Sequence, residues 1–312
     1  MKNKLFQKIK EYNTIIVQRH TRPDLDAIGS QLGLKEAIKF NFPEKEVYAV
    51  GDRTSKYDFI GTFDEIPDSK YDNALVIICD VSVANMVSDE RYKLAKEVFV
   101  IDHHHNPCDI TENWLCKNTA SAAAEYIAEL LKDEGYKFNA DIATYFYAGI
   151  VTDSGRFMYG GDLANTLAIA SFLVSQGARY KFVYDNIYVD SLEDRKMSAY
   201  FQDKVVYKDN IAYIKSDKDV FEKFPVEFND ISRGMLSLMS GLREIVIWLN
   251  FTYDESRDVI VGEFRSRTIP IVDIAKAHGG GGHLNACGAS LKSWEEVDEI
   301  IEEYYNLANQ NA

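Results

Sequence analysis

The run Thr14-Ile15-Ile16-Val17, followed by His20-Thr21-Arg22-Pro23-Asp24-Leu25-Asp26-Ala27-Ile28-Gly29-Ser30, reads as a strand, a polar loop and the start of a helix that continues to Phe40. Pro23 keeps the loop out of helical geometry, so His20, Asp24 and Asp26 can converge on a point just beyond the strand's end. An aspartate-rich loop also caps the helix that follows it, so the rest of the chain has to decide its chemistry. Ala74-Leu75-Val76-Ile77-Ile78-Cys79 is a second apolar run and ends at Asp80; Glu97-Val98-Phe99-Val100-Ile101 repeats the design and ends at Asp102-His103-His104-His105. Unbroken apolar runs suit strands buried on both faces of a parallel sheet. With residues 47–50 as a further short strand, they predict an open α/β sheet with flanking helices, whose ligands bind beyond the carboxyl ends of the strands. His20, Asp80 and Asp102 each fall at such an end.

Residues 120–131 form an alanine-rich helical pattern stopped by Gly135, and residues 141–151 a second one that delivers Thr152-Asp153-Ser154-Gly155 at its end. A third helix is expected over 162–175. From 180 to 204 the composition turns charged and aromatic without Gly or Pro, which reads as one connecting helix. Beyond it, residues 211–214, 244–251 and 259–265 read as strands of a smaller mixed sheet, with helices over 230–239 and 294–307. The expected organisation is a first domain over 1–185, a connection over 186–205 and a smaller α/β domain over 206–312.

Composition narrows the function. At 312 residues the chain can bury a core without disulfide or metal support, and 46% hydrophobic with 27% charged residues is ordinary for a soluble protein. The first ten residues form a charged amphipathic helix, no run approaches a membrane span, and the four cysteines make no CxxC pair; a reduced, cytoplasmic setting fits. A net charge of −14 argues against coating long nucleic acid, whose non-specific affinity needs basic surface, while leaving short or single-nucleotide substrates open.

All six histidines, His20, His103, His104, His105, His278 and His283, lie in polar, loop-like segments. Three in a row after a buried strand and an aspartate make little structural sense without a cation. Collecting strand ends and turns gives His20, Asp24, Asp26, Asp80, Asp102, His103, His104 and Asp153. Carboxylate-rich sites with one or two imidazoles suit Mn²⁺ or Mg²⁺, and four or more carboxylates point to two ions. Two such ions activate a water and clamp the oxygens at phosphorus, so the chemistry expected is phosphoester hydrolysis. Gly279-Gly280-Gly281-Gly282-His283 offers bare backbone N–H groups and an imidazole to an anion. Arg265 and Arg267 can present guanidinium forks to phosphate.

With these residues assembled, the sequence resembles the DHH superfamily of phosphoesterases, named for Asp102-His103-His104. The matching signatures are His20-x-x-Pro23-Asp24-x-Asp26-Ala27-x-Gly29-Ser30, the strand-terminal Asp80, the DHH triplet and Asp153 in Thr152-Asp153-Ser154-Gly155. Gly280-Gly281-Gly282-His283-x-x-Ala286-x-Gly288 resembles the signature of the appended DHHA1 domain. The resemblance implies a DHH domain followed by a DHHA1 domain across an active-site cleft, in the stand-alone nanoRNase or oligoribonuclease type that also acts on pAp. It implies His20 and Asp24 as ligands of one Mn²⁺, Asp26, His103 and Asp153 as ligands of the other, and Asp80 as the bridge, with Mg²⁺ as the alternative metal. Asp102 would orient the histidines and His104 would face the scissile phosphate. Arg265, Gly280, Gly281, Gly282 and His283 would grip the substrate. Leu284 and Asn285 depart from the proline many relatives carry, and Cys287 sits inside the glycine motif; His105 has no assigned role.

The leading expectation is therefore an Mn²⁺-dependent phosphodiesterase and phosphatase that cuts short single-stranded oligoribonucleotides to mononucleotides and takes pAp as a further substrate. The partners are short RNA or nucleotides, with no long duplex and no membrane; the resemblance also allows a homodimer. The alternatives are a cyclic dinucleotide phosphodiesterase acting on c-di-AMP or pApA and, in a different class, a metal- and nucleotide-binding protein without turnover. The glycine-histidine motif argues against a family II pyrophosphatase. A RecJ-like exonuclease would be expected to have further domains and a more basic surface.

Overall fold

The computed structural model describes residues 1–52 and 54–311. The chain divides into two compact units, Met1–Val189 and Asp190–Ala312. In chain order the first contains α1 (Lys2–Glu11), β1 (Thr14–Gln18), α2 (Leu25–Asn41), β2 (Glu46–Ala49), β3 (Leu75–Cys79), β4 (Glu97–Asp102), β5 (Trp114–Cys116), α3 (Ala123–Asp133), α4 (Ala140–Asp153), α5 (Leu163–Ser175) and α6 (Tyr180–Ile187). Its strands form a wholly parallel sheet in the order β2-β1-β3-β4-β5. Every residue of β3 is buried, the outcome expected of an unbroken apolar run.

The two faces of this sheet are covered differently. Ile15, Val17, Leu75, Ile77 and Cys79 join the large core built with α1, α2, α3 and α4, whereas Ile16, Val76 and Ile78 alternate to the other face, packed under loops and single 3₁₀ turns that carry Tyr71, Val87 and Tyr92. The strand order reverses between β1 and β3: the connection through α2 leads out to β2, and β3 lies on β1's other side. Such a reversal leaves a crevice beyond the carboxyl ends of the two strands. The residues there are His20 and Asp80.

Helix α2 is buried almost all round, and it approaches α4 closely because its contact positions are glycines. A side chain at Gly29 would run into the Tyr145 carbonyl, and one at Gly33 into the Phe146 ring at 2.7 Å. On α4, a side chain at Gly149 would come within 2.8 Å of an Asp26 carboxylate oxygen.

The second unit contains α7 (Leu192–Lys204), β6 (Val206–Lys208), β7 (Ile211–Ser216), α8 (Asp219–Lys223), α9 (Phe228–Ser232), β8 (Ile247–Asp254), β9 (Val259–Ser266), α10 (Val272–Ala277), β10 (Gly281–His283), β11 (Ala286–Leu291) and α11 (Trp294–Gln310). Its mixed sheet runs β10-β11-β9-β8-β7-β6, with β7 and β8 parallel and the other pairs antiparallel. One face packs on α10 and α11, and the other on α7, α9 and the turn that carries Met235 and Leu236. Among the described residues, no helix is long and apolar enough to cross a membrane.

Three details correct the sequence reading. The single helix expected over 180–204 is two, α6 and α7, broken at Tyr188–Ser191, where Ser191 caps α7 in a reciprocal box with Asp194. The helix expected over 230–239 is the short α9 followed by a 3₁₀ turn over Gly234–Leu238. The glycine run is part edge strand, since Gly281–His283 pairs with β11.

Gly29→Val is expected to destabilise the protein by about 1–3 kcal/mol, because the added methyls meet backbone rather than a movable side chain. Urea unfolding followed by circular dichroism measures this, and an unchanged midpoint would contradict the close α2–α4 contact.

Candidate metal centre

His20 follows β1 and is fixed by backbone pairing with Val87. Its Nδ1 lies 2.8 Å from the Thr21 carbonyl oxygen, which makes Nδ1 the donor and leaves the Nε2 lone pair free. Asp24 caps α2: one carboxylate oxygen, Oδ1, accepts from the Asp26 and Ala27 N–H groups at 3.0 Å each, and its other oxygen remains available. The capping Oδ1 is also the Asp24 oxygen nearer His20, 3.9 Å from its Nε2. Asp26, in the first turn of α2, accepts from the Ala123 and Ala124 N–H groups at 2.7 and 2.9 Å and from Ser30 Oγ at 3.3 Å. The N-terminus of α3 therefore supports a buried carboxylate on another helix.

Asp80, 3% exposed, follows β3 with a φ of +61°, a left-handed backbone held by its N–H bond to the Ile101 carbonyl. This conformation is uncommon for a residue with a side chain. Its Oδ2 lies 3.4 Å from His20 Nε2 and its Oδ1 3.4 Å from His103 Nε2, and Oδ1 is buried without a hydrogen-bond partner. His103 Nδ1 faces the Ala120 carbonyl at 3.3 Å, so its Nε2 is the free nitrogen. That Nε2 stands 3.8 Å from Asp26 Oδ2 and 3.5 Å from Asp153 Oδ2, the latter at the end of α4.

Asp102 does different work. Wholly buried at the end of β4, its Oδ1 accepts from the backbone N–H groups of His103 and His104 and lies 2.8 Å from His104 Nδ1. Although His104 Nδ1 is 3.7 Å from Asp80, it is committed to Asp102, so Nε2 of this half-exposed ring is the nitrogen left for a reacting group. His105 is exposed beside Asn118 and stands apart from the cluster's ion pairs.

The electrostatics ask for positive charge. Burial pushes the Asp26 carboxyl well above its ordinary range, and Asp80 and Asp153 add to the rise. Burial likewise lifts Asp153 to about 6, with the Asp80 and Asp24 charges working the same way against the relief from His103. Burial also works against the charged form of Asp80, but the His103 and His20 imidazoles outweigh it and hold this carboxyl low. His20 rises to about 8 because the contacts with Asp80, the Thr21 carbonyl and Asp24 overcome the burial that opposes its charge. Three groups, His20-Asp24-Asp80, Asp26-His103-Asp153 and Asp80-His103-His104, each bring possible ligand atoms within 4.8 Å of one another. Free Nε2 lone pairs, mutually repelling carboxylates and an unpartnered buried Asp80 oxygen fit a divalent cation.

The sequence-predicted residues of the second unit are also placed. Arg265 lies on β9, its register partner on β11 is Ala286, and Ala286 pairs in turn with His283 on β10. Arg265 and His283 thus share a face two strands apart. Gly282, with a φ of +136°, has no room for a side chain, which would meet the Ala286 carbonyl at 2.7 Å, while Gly281 faces open space. Arg267 bonds the Leu242 carbonyl. Sequence reasoning missed the Ala120 carbonyl and the α3 N-terminus, which carry no side-chain signal.

The fold and the centre define a member of the DHH family. The chain matches the DHH family N-terminal domain over residues 14–150 and the DHHA1 domain over residues 222–310, and it belongs to this family. It is 35% identical, over all of both chains, to the bifunctional oligoribonuclease and PAP phosphatase NrnA of Bacillus subtilis. To the probable bifunctional oligoribonuclease and PAP phosphatase NrnA of Streptococcus mutans it is 32% identical, over 97% of each chain. In fold it is similar to an exopolyphosphatase-related protein from Bacteroides fragilis, with a TM-score of 0.84 and 24% identity over 97% of this chain and 94% of that one.

Saturating Mn²⁺ is expected to raise the thermal midpoint by several degrees relative to EDTA, as binding to the folded state requires. Asp80→Asn should lose most of the rise. A wild-type midpoint indifferent to divalent cations would contradict the centre.

Proposed function

We propose that the chain is a divalent-metal phosphoesterase that hydrolyses short oligoribonucleotides to mononucleotides and removes the 3′-phosphate of pAp. The observation that carries this reading is the convergence of His20, Asp24, Asp26, His103 and Asp153 around the two oxygens of Asp80, in a chain similar to NrnA over its whole length.

In this reading the centre would hold two ions, Mn²⁺ in preference to Mg²⁺. His20 and Asp24 would hold one, Asp26, His103 and Asp153 the other, and Asp80 would be shared between them. The contact of Oδ2 with His20 and of Oδ1 with His103 supports that division. Bound there, such ions supply an acidified water and neutralise the charge that develops on the phosphoryl oxygens. The chain's own part is orientation. Asp102 accepts from His104 Nδ1–H and raises this imidazole, favouring the charged ring whose Nε2–H donates to a phosphate oxygen. The Thr21 and Ala120 carbonyls accept from Nδ1–H of His20 and His103, so the atom each neutral ring would turn to a cation is Nε2, whose proton the cation would displace.

Arg265, His283 and the backbone of Gly280, Gly281 and Gly282 hold the substrate's terminal phosphate in this account. Arg265 is only partly committed, donating to the Phe264 carbonyl at 2.8 Å and lying 3.4 Å from Glu263. The strongly negative net charge supports short rather than long substrates. Four free cysteines suit a reduced, cytoplasmic setting.

Parallel incubations with Mn²⁺ and a labelled RNA dinucleotide, a 24-mer, pAp and c-di-AMP test the proposal, with Asp80→Ala as the blank. The dinucleotide and pAp should disappear with the 24-mer nearly untouched, and Asp80→Ala should lose at least about a hundredfold in rate, as removal of the shared ligand implies. Faster loss of c-di-AMP would instead make the chain a cyclic dinucleotide phosphodiesterase. Inertness of the wild type toward all four would overturn the proposed activity.

A further inference from the structure

The loop that leaves Asp153 is held in an unusual backbone. Gly155, Arg156 and Phe157 have φ values of +54°, +62° and +67° in succession, two of them on residues with large side chains. Local bonds enforce this path: Arg156 N–H donates to the Val151 carbonyl at 2.8 Å, Phe157 N–H to Ser154 Oγ at 3.0 Å, and both Met158 and Tyr159 N–H groups to the Ser154 carbonyl at 2.9 Å. Phe157 turns inward, its ring 6.4 Å from that of Tyr147 and packed on the main core. The next two side chains go outward. Met158 is 75% exposed and Tyr159 74%.

Tyr159 is not a loose surface residue, because both ends of its segment are tied to parts of the metal centre. Its ring lies so close over Gly155 that any side chain there would meet it at 2.6 Å, and Gly155 is two residues from Asp153. On the other side, Gly160 packs on Ser121, Gly161 backs on Thr119, and Asp162 N–H donates to the Thr119 carbonyl at 3.0 Å. Between Thr119 and Ser121 stands Ala120, whose carbonyl orients His103. The strained turn therefore sets an exposed aromatic ring between the segments that supply Asp153 and position His103.

The geometry points to Tyr159 as the platform on which the nucleobase beside the reacting phosphate stacks. This rests on the proposed activity and deepens it. A chain with a net charge of −14 has little general attraction for a polyanion, so a nucleotide must be held by local contacts, and the base is its apolar part. Stacking on an aromatic ring tolerates every base, which suits an enzyme that takes short RNA to mononucleotides regardless of sequence.

The test uses the full-length, Mn²⁺-loaded protein and two substrates, pAp and its base-free counterpart ribose 3′,5′-bisphosphate. Tyr159→Ala should raise KM for pAp on the order of tenfold with kcat nearly unchanged, and leave the base-free compound unaffected. Tyr159→Phe should behave as wild type, since the ring does the work. Binding is read separately in the Asp80→Ala background with a dinucleotide containing 2-aminopurine: its fluorescence should be quenched, and Tyr159→Ala should abolish the quench. Equal losses on the two bisphosphates, no loss on either, or failure of Tyr159→Phe would overturn the assignment. Should the wild type hydrolyse neither compound, the proposed activity fails, and the quenching experiment alone decides whether Tyr159 stacks a base.

Discussion

The first unit is built around a repulsion. Asp26, Asp80 and Asp102 are almost wholly buried, and Asp153 is partly so, clustered around the imidazoles of His20, His103 and His104. Buried like charges stay ionised only where something nearby offsets them. Each carboxylate is compensated differently: Asp102 by two backbone N–H groups and His104, Asp26 by the α3 N-terminus and Ser30, Asp80 by His20 and His103. Even so, burial lifts Asp153 to about 6 and carries Asp26 well above its ordinary range despite its donors. Protein donors alone leave that repulsion unbalanced, and divalent cations held by these side chains would complete the balance.

Packing brings these charges together as much as topology does. The reversal of strand order between β1 and β3 opens the crevice where His20 and Asp80 face each other. Asp26 and Asp153 arrive on two helices, α2 and α4, which meet through Gly29, Gly33 and Gly149. A bulkier residue at any of these positions would push the helices apart, and with them two of the carboxylates. The core that stabilises the unit and the spacing of the centre are therefore set by the same contact.

Much of this was legible in the sequence, for identifiable reasons. Apolar runs ending in Asp or His announce both a parallel strand and a residue at its functional end, so β1, β3 and β4 and the residues after them could be read together. Features that depend on partners distant in the chain were not legible. β5 is three half-buried residues with no run to mark it, and β10 is an edge strand made mostly of glycine. The break between α6 and α7 has no Gly or Pro, only Ser191 with Asp194, a capping box that an uninterrupted helical spacing hides. The support for Asp26 and His103 comes from main-chain atoms of residues 120, 123 and 124, which leave no trace in side-chain identity. Tyr159 sat among many aromatic residues, and only its exposure over Gly155 sets it apart.

The central claim is that the oxygens of Asp80 divide the centre between two cations. Anomalous diffraction from crystals grown with Mn²⁺ addresses it directly. The account predicts two peaks per chain, one contacted by His20 and Asp24, the other by Asp26, His103 and Asp153, with an Asp80 oxygen at each. A single peak, or two peaks that Asp80 does not touch, would contradict it.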